Sequence, residues 1–386
     1  MSIRHLPTSP LRCGLAAVAL LLSAQAQAVV SSGNPSDWVL NPGAMGGALD
    51  GVAQVLYSNS GGAWACSGSL LAGGAWVLTA AHCATDFSSM SVKLLGGTVS
   101  RTVTSASVLP QWAGWNGTGT DLALLKLDHA VTGVAGFYIS SSSNLYQDYL
   151  LAGYGYIGTG AVGGDTYNSS GLAHYGYNTW DTTDDALNLA VFGNNGGGTS
   201  HGVSYVSDFD DGSAAHNTLY QETFYGSKDS SSAGLGAREG FMTGGDSGGG
   251  NFVLQDGQWV LAGVHASGWV ICGCFDANGS YYGSYGELNE ATAVYPHAAW
   301  IASVAGAQVL VSSVPEAGTA PMALAGLVLL GGLGWRRAAP GGAQRQRVQA
   351  TAGSVGSVGS VGSVGSVGSV GSIASVPSVA SVGRRA

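Results

Sequence analysis

Charge is scarce in this sequence. Only 9% of its 386 residues are Asp, Glu, Lys or Arg, and 13 basic residues face 22 acidic ones for a formal net charge of -9. A chain of that balance has no basic face to follow a phosphate backbone, so nucleic-acid binding is set aside. Long helical periodicity is missing too, which excludes a helical bundle as the main architecture. Cysteine is sparse at five residues, and Cys13 lies ahead of an apolar leader, leaving four for an exported protein. What abounds is glycine, 64 residues of it, set among Ser, Asn and Tyr. From about Val52 to Trp300 short apolar stretches are punctuated by these residues, the pattern of many strands joined by turns.

The ends differ from this middle. Arg4, His5 and Arg12 precede the apolar run Leu15–Leu22, and Ala26-Gln27-Ala28 follows with small residues at cleavage spacing. Residues 1–28 therefore read as a secretory signal peptide for signal peptidase, with Val29 the mature start. Near the other end, Val314-Pro-Glu-Ala leads into an uncharged stretch of 19 residues, Ala317–Trp335, closed by Arg336-Arg337. That length just spans a membrane, and the arginines form a stop, which gives transient membrane association. Residues 338–386 are a low-complexity tail with a Gly-Ser-Val repeat that cannot build a core alone. The remainder, residues 29–313, is the expected folded domain.

Strands are expected at Gly51–Tyr57, Trp76–Thr79, Asp121–Leu127 and Gln258–Val264, with one short terminal helix over Pro296–Ser303. Residues 155–236 read as strands carrying enlarged loops.

Three segments carry chemistry. In the first, Cys66-Ser-Gly-Ser-Leu-Leu turns at Ala72–Gly74 into Trp76-Val-Leu-Thr-Ala-Ala-His82-Cys83. This puts a histidine at a strand end beside a cysteine able to bond back to Cys66. Such a fixed imidazole suits a general base. In the second, Gly244-Gly-Asp-Ser247-Gly-Gly-Gly250, glycines on both sides let the backbone expose a hydroxyl and aim the Gly245 and Ser247 amides at a developing oxyanion. The third is Asp121, heading an apolar strand, where a lone carboxylate needs a donor such as histidine. Singly, each has an ordinary structural explanation: a satisfied core histidine, a glycine-rich turn, a strand-capping carboxylate.

In the order His, Asp, Ser, the segments Thr79-Ala-Ala-His-Cys83, Asp121-Leu-Ala-Leu-Leu and Gly245-Asp-Ser-Gly-Gly249 resemble the chymotrypsin/trypsin family of serine proteases. Gly153-Tyr-Gly155, Gly263-Val264 and Tyr295 through Trp300-Ile301 extend the resemblance over roughly residues 29–306. It implies an all-β fold of two packed antiparallel six-stranded β-barrels with a short C-terminal helix. It implies a secreted endopeptidase acting on proteins or peptides, with His82, Asp121 and Ser247 as triad and with no metal or cofactor. Phe241, Ala266 and Gly268 then contact substrate, and Asp246 pairs with a newly cut N-terminal ammonium.

Departures accompany the matches. Gly250 stands where the family usually has proline, and Thr243 replaces a cysteine of the family's pocket disulfide, so Cys272 and Cys274 either stay free or bridge each other. No typical activation sequence precedes Cys66. Phe241 replaces the aspartate that trypsin-like members hold six residues before the serine, which argues against cleavage after Lys or Arg. The C-terminal segment 314–337 resembles a PEP-CTERM sorting signal, implying an exosortase-type partner and the surface or extracellular matrix of a Gram-negative bacterium. The competing readings are a catalytically weak surface binding protein on the same fold, and an esterase using the same triad.

Overall fold

The computed structural model describes residues 29–114, 119–166, 171–192, 202–220, 232–270, 276–279, 283–311 and 383–385. The signal peptide, the sorting segment, most of the tail, and Cys272 and Cys274 lie outside them.

Six strands close a barrel in the order β3 (Val52–Asn59), β4 (Gly62–Leu70), β5 (Trp76–Thr79), β8 (Ala123–Leu127), β7 (Val99–Val108) and β6 (Ser89–Leu94). In β8 only Lys126 of Ala-Leu-Leu-Lys-Leu is exposed. The β4–β5 hairpin depends on Gly74, which has φ +72° and whose added Cβ would fall 2.3 Å from the Val131 carbonyl oxygen. Val55, Leu70, Val77, Leu78, Leu124 and Leu125 are fully buried in this barrel. Each such side chain contributes about 1.5–3 kcal/mol by leaving water.

The second half is built differently from the expectation. β12 (Ala173–Thr179), β9 (Asp148–Gly153), β16 (Gly250–Gln255), β17 (Gln258–Val270), β18 (Leu288–Ala293) and β14 (Ser204–Asp208) run side by side. The two-residue strands Val39–Leu40 and Thr182–Thr183 extend the opposite edges of this sheet, which does not close among the described residues. Residues Gly383–Arg385 pair with β17 at Gly268–Val270. A separate four-stranded sheet takes β1 (Val29–Ser31), β10 (Ile157–Thr159), β11 (Gly163–Thr166) and β15 (Gly240–Phe241). The fold is mostly β with a short C-terminal helix, as the sequence implies, but one closed barrel and one open half-barrel sheet replace two closed barrels. Backbone pairing is diverted into the small sheet, where β1 lies between β10 and β15.

The terminal helix α2 spans Ala298–Ala305, two residues later than its apolar pattern indicated. A helix α1 at Asp184–Phe192 was not anticipated; Asp184 and Asp185 in its first turn favour the positive end of its dipole.

Candidate active site

Strand register brings the first two functional residues together. β5 and β8 are antiparallel partners with Thr79 opposite Ala123, so His82, three residues past β5, and Asp121, two before β8, emerge at the same end of the barrel. There the Asp121 carboxylate accepts twice from His82: from the backbone N–H at 3.0 Å and from ring Nδ1 at 2.6 Å. Donating from Nδ1 fixes that nitrogen as the protonated one in the neutral ring, so Nε2 is the nitrogen that carries the basic lone pair. Asp121 is 3% exposed, so its two bonds to His82 answer the desolvation of a carboxylate at a strand start.

Cys66 and Cys83 are joined by a disulfide with their Cα atoms 6.4 Å apart. It ties the residue after His82 to the middle of β4. Next in β4, Ser67 links the barrel to the serine loop. Its N–H donates to the Ser247 carbonyl at 2.8 Å and its Oγ to the Gly245 carbonyl at 2.9 Å.

The loop itself, between β15 and β16, needs its glycines. Gly248 has φ +81°, and a Cβ there would lie 2.0 Å from Thr79 Oγ1 and 2.5 Å from the Ser67 carbonyl oxygen. Gly245 is at φ +95°. Gly250, the departure from proline, leaves room for Phe252, whose ring would sit 2.3 Å from an added Cβ. Neither the Gly245 nor the Ser247 amide has another acceptor among the described residues, which leaves both N–H groups available to an oxyanion.

His82 and Ser247 line one cleft of about 660 Å³, together with Leu56, Tyr57, Trp64 and Tyr156. Trp64 is 52% exposed at its rim. His82, Ser247 and Gly245 thus border one solvent-accessible space.

The other residues singled out from the sequence fall nearby. Asp246 is wholly buried, and its carboxylate accepts from the N–H of Gly155 at 2.7 Å, the N–H of Thr243 at 2.8 Å and Thr243 Oγ1 at 3.0 Å. Burial still drives its carboxyl up to about 7. Phe241 is 2% exposed and stacks on Phe209 with ring centroids 5.6 Å apart. Its ring tip lies 3.1 Å from where a Gly268 Cβ would stand, so it fills the space beneath that glycine. Ala266 is the extra residue of a bulge, since the β17–β18 register slips between His265 and Ser267.

Two features had no role in the sequence reading. One is His265, buried directly behind the serine loop, for which the only signal was its place in Gly263-Val264-His265. The other is a group of interior acids, in which burial and mutual repulsion raise Asp208 to about 7 and Glu239 to about 9. No positional pattern marks them.

Residues 47–197 match the Trypsin family model, and residues 313–338 match the PEP-CTERM protein-sorting motif. That motif implies export, with processing by an exosortase-type enzyme. No curated protein matches the chain. Among solved structures, HL collagenase is similar at 19% identity with a TM-score of 0.44, covering 70% of this chain and 97% of its own. Neuropsin, a serine protease expressed in the limbic system of mouse brain, is similar at 16% identity and a TM-score of 0.46, covering 69% of this chain and 98% of its own.

Proposed function

Starting from a trypsin domain over residues 47–197, we propose that the chain is an exported serine endopeptidase with Ser247 as nucleophile, His82 as general base and Asp121 as its orienting partner. Within it, residues 1–28 form the signal peptide, 29–313 the catalytic domain, 314–337 the sorting segment and 338–386 a tail. The observation that carries this reading is the Asp121–His82 bond, which leaves Nε2 unprotonated in the cleft that also holds Ser247.

In the first step Ser247 Oγ bonds to the scissile carbonyl carbon while its proton passes to His82 Nε2, and the carbonyl oxygen becomes an oxyanion held by the Gly245 and Ser247 amides. Collapse expels the amine, which takes that proton from His82 and leaves an acyl-enzyme. Water, deprotonated by His82, then repeats the sequence and releases the acid. Asp121 holds the imidazole tautomer throughout and offsets its transient positive charge.

Strand register supports a pairing of Asp246 with an N-terminal ammonium. β1 runs parallel to β10 with Val29 opposite Ile157, and antiparallel to β15 with Val30 opposite Phe241. One step back from Val29 this register reaches the level of Tyr156 and Thr243; Thr243 and Gly155, next to Tyr156, are the two residues whose amides hold the Asp246 carboxylate. Cleavage after Ala28 would therefore release an ammonium beside a buried carboxylate whose hydrogen-bond donors, Gly155 and Thr243, are both neutral. On this reading, signal-peptide removal is itself the activating cut.

The test is hydrolysis of a peptide library by the protein and by Ser247→Ala, with fluorophosphonate labelling alongside. The variant should fold and lose activity on the order of a million-fold. Retention of more than about 1% of the rate would remove Ser247 from the role. Labelling with ester but no peptide turnover would make the protein an esterase.

A further inference from the structure

We propose that His265 is a positioning residue for the oxyanion site: it holds the carbonyl of Asp246 and through that peptide aims the N–H of Ser247. The inference rests on the endopeptidase reading above and adds a residue to it.

His265 lies on β17, whose backbone clamps the serine loop from behind. Its N–H donates to the Gly249 carbonyl at 2.9 Å, and its own carbonyl accepts from Gly248 N–H at 2.9 Å. The ring reaches further along the same loop, with Nδ1 3.1 Å from the Asp246 carbonyl oxygen. A carbonyl can only accept, so Nδ1 carries the proton. Nε2 has no partner among the described residues, and as an unprotonated nitrogen it forgoes only an acceptor contact. Burial lowers the imidazole to about 4, which keeps the ring neutral through the working range of a protease base.

The consequence comes from peptide geometry. The Asp246 carbonyl and the Ser247 N–H belong to one planar trans unit, so they point in opposite directions. Fixing the oxygen on the β17 side fixes the N–H on the cleft side. Polarisation along the pair also makes that N–H a better donor to an oxyanion. Glycine at 249 is what leaves the ring its place, because a Cβ added there would lie only 2.8 Å from its Nδ1.

A second donor shares the load. Gly249 N–H also reaches the Asp246 oxygen, at 2.8 Å, so removing the imidazole would loosen the peptide without releasing it. The expected effect is therefore well below the hundredfold or more seen when an oxyanion donor itself is lost. It is a fall of about fivefold to tenfold in kcat with KM changed less than about twofold.

The experiment compares His265→Leu, which deletes the donor, with His265→Asn, whose amide offers N–H at the same branch point. Support would be a fivefold to tenfold lower kcat in the leucine variant, equal weakening of a peptide boronate that mimics the tetrahedral state, and recovery by asparagine to within about twofold. An unchanged kcat in His265→Leu, a loss confined to KM, or a loss seen only for peptides with an acidic residue before the scissile bond would overturn the proposal. The last outcome would make His265 a pocket residue instead. Nitrogen NMR of Ser247→Ala protein gives an activity-independent reading. An Nδ1–H tautomer for His265 supports the contact, and an Nε2–H tautomer refutes it. If the unaltered protein cleaves no peptide, the endopeptidase reading fails by itself, and the tautomer still decides whether the hydrogen bond exists.

Discussion

Leaving two extra residues ahead of Val29 should cripple the enzyme at alkaline pH and harm it less at acid pH. The reason is the Asp246 carboxyl, raised by burial from 3.8 to about 7 despite bonds from Gly155 and Thr243. That rise corresponds to about 4 kcal/mol against the ionised form. A terminal ammonium at Val29 would offset most of this, whereas an amide in mid-chain would not. A carboxyl raised in the folded state stabilises the loop below its unfolded value and loses that contribution as pH rises through about 7. In the extended protein the loop therefore weakens as Asp246 ionises; in the protein beginning at Val29 the ion pair keeps Asp246 charged and in place. At about 1.4 kcal/mol per tenfold, the ceiling on the difference in kcat/KM is roughly a thousandfold above neutrality. The assay is kcat/KM for both proteins from about pH 5.5 to 9, taken as a ratio so that pH effects common to the two cancel. A ratio near one at the alkaline end, or one that does not change with pH, would refute the pairing.

Further outcomes are expected. Replacing Cys66 and Cys83 together by serine should lower stability by about 3 kcal/mol for a closed loop of this size; a melting temperature unchanged from the parent would mean that the bond is not formed in the exported protein. Peptides with Lys or Arg before the scissile bond should be poor substrates, because the Phe241 ring fills the space beneath Gly268 and no carboxylate stands at that position to meet a buried cation. A more than tenfold preference for Arg over Ala and Leu in otherwise identical peptides would contradict this. Thermal stability should fall as pH rises from about 5 to 9, since Asp208 and Glu239, raised to about 7 and about 9, stabilise the fold while protonated and lose that contribution on ionising. Melting curves at constant ionic strength test the sign, and stability that increases over this range would show that the two acids have cationic partners.

How much of this could be read from the sequence depends on the range over which each feature is determined. The Cys66–Cys83 hairpin and the serine loop are local: a turn at Gly74 and glycines at 245 and 248 dictate backbone that side chains would obstruct, so their chemistry is visible in a dozen residues. Asp121 is legible only through the strand it heads, and its meeting with His82 needs the β5–β8 register. The openness of the second sheet is less local still. It depends on Val29–Ser31 choosing Ile157 and Phe241 as neighbours, a pairing between segments more than a hundred residues apart with nothing in their composition to announce it. Register also hides His265. In an alternating strand a histidine at that position would face either a core or a cleft. Only the antiparallel match of β16 with β17, Gly250 opposite Val264, brings its ring beneath the Asp246–Ser247 peptide. The same pairing that lays β17 behind the serine loop thus puts His265 against the peptide that carries Ser247. A substitution at His265 should therefore be felt in turnover before it is felt in substrate binding.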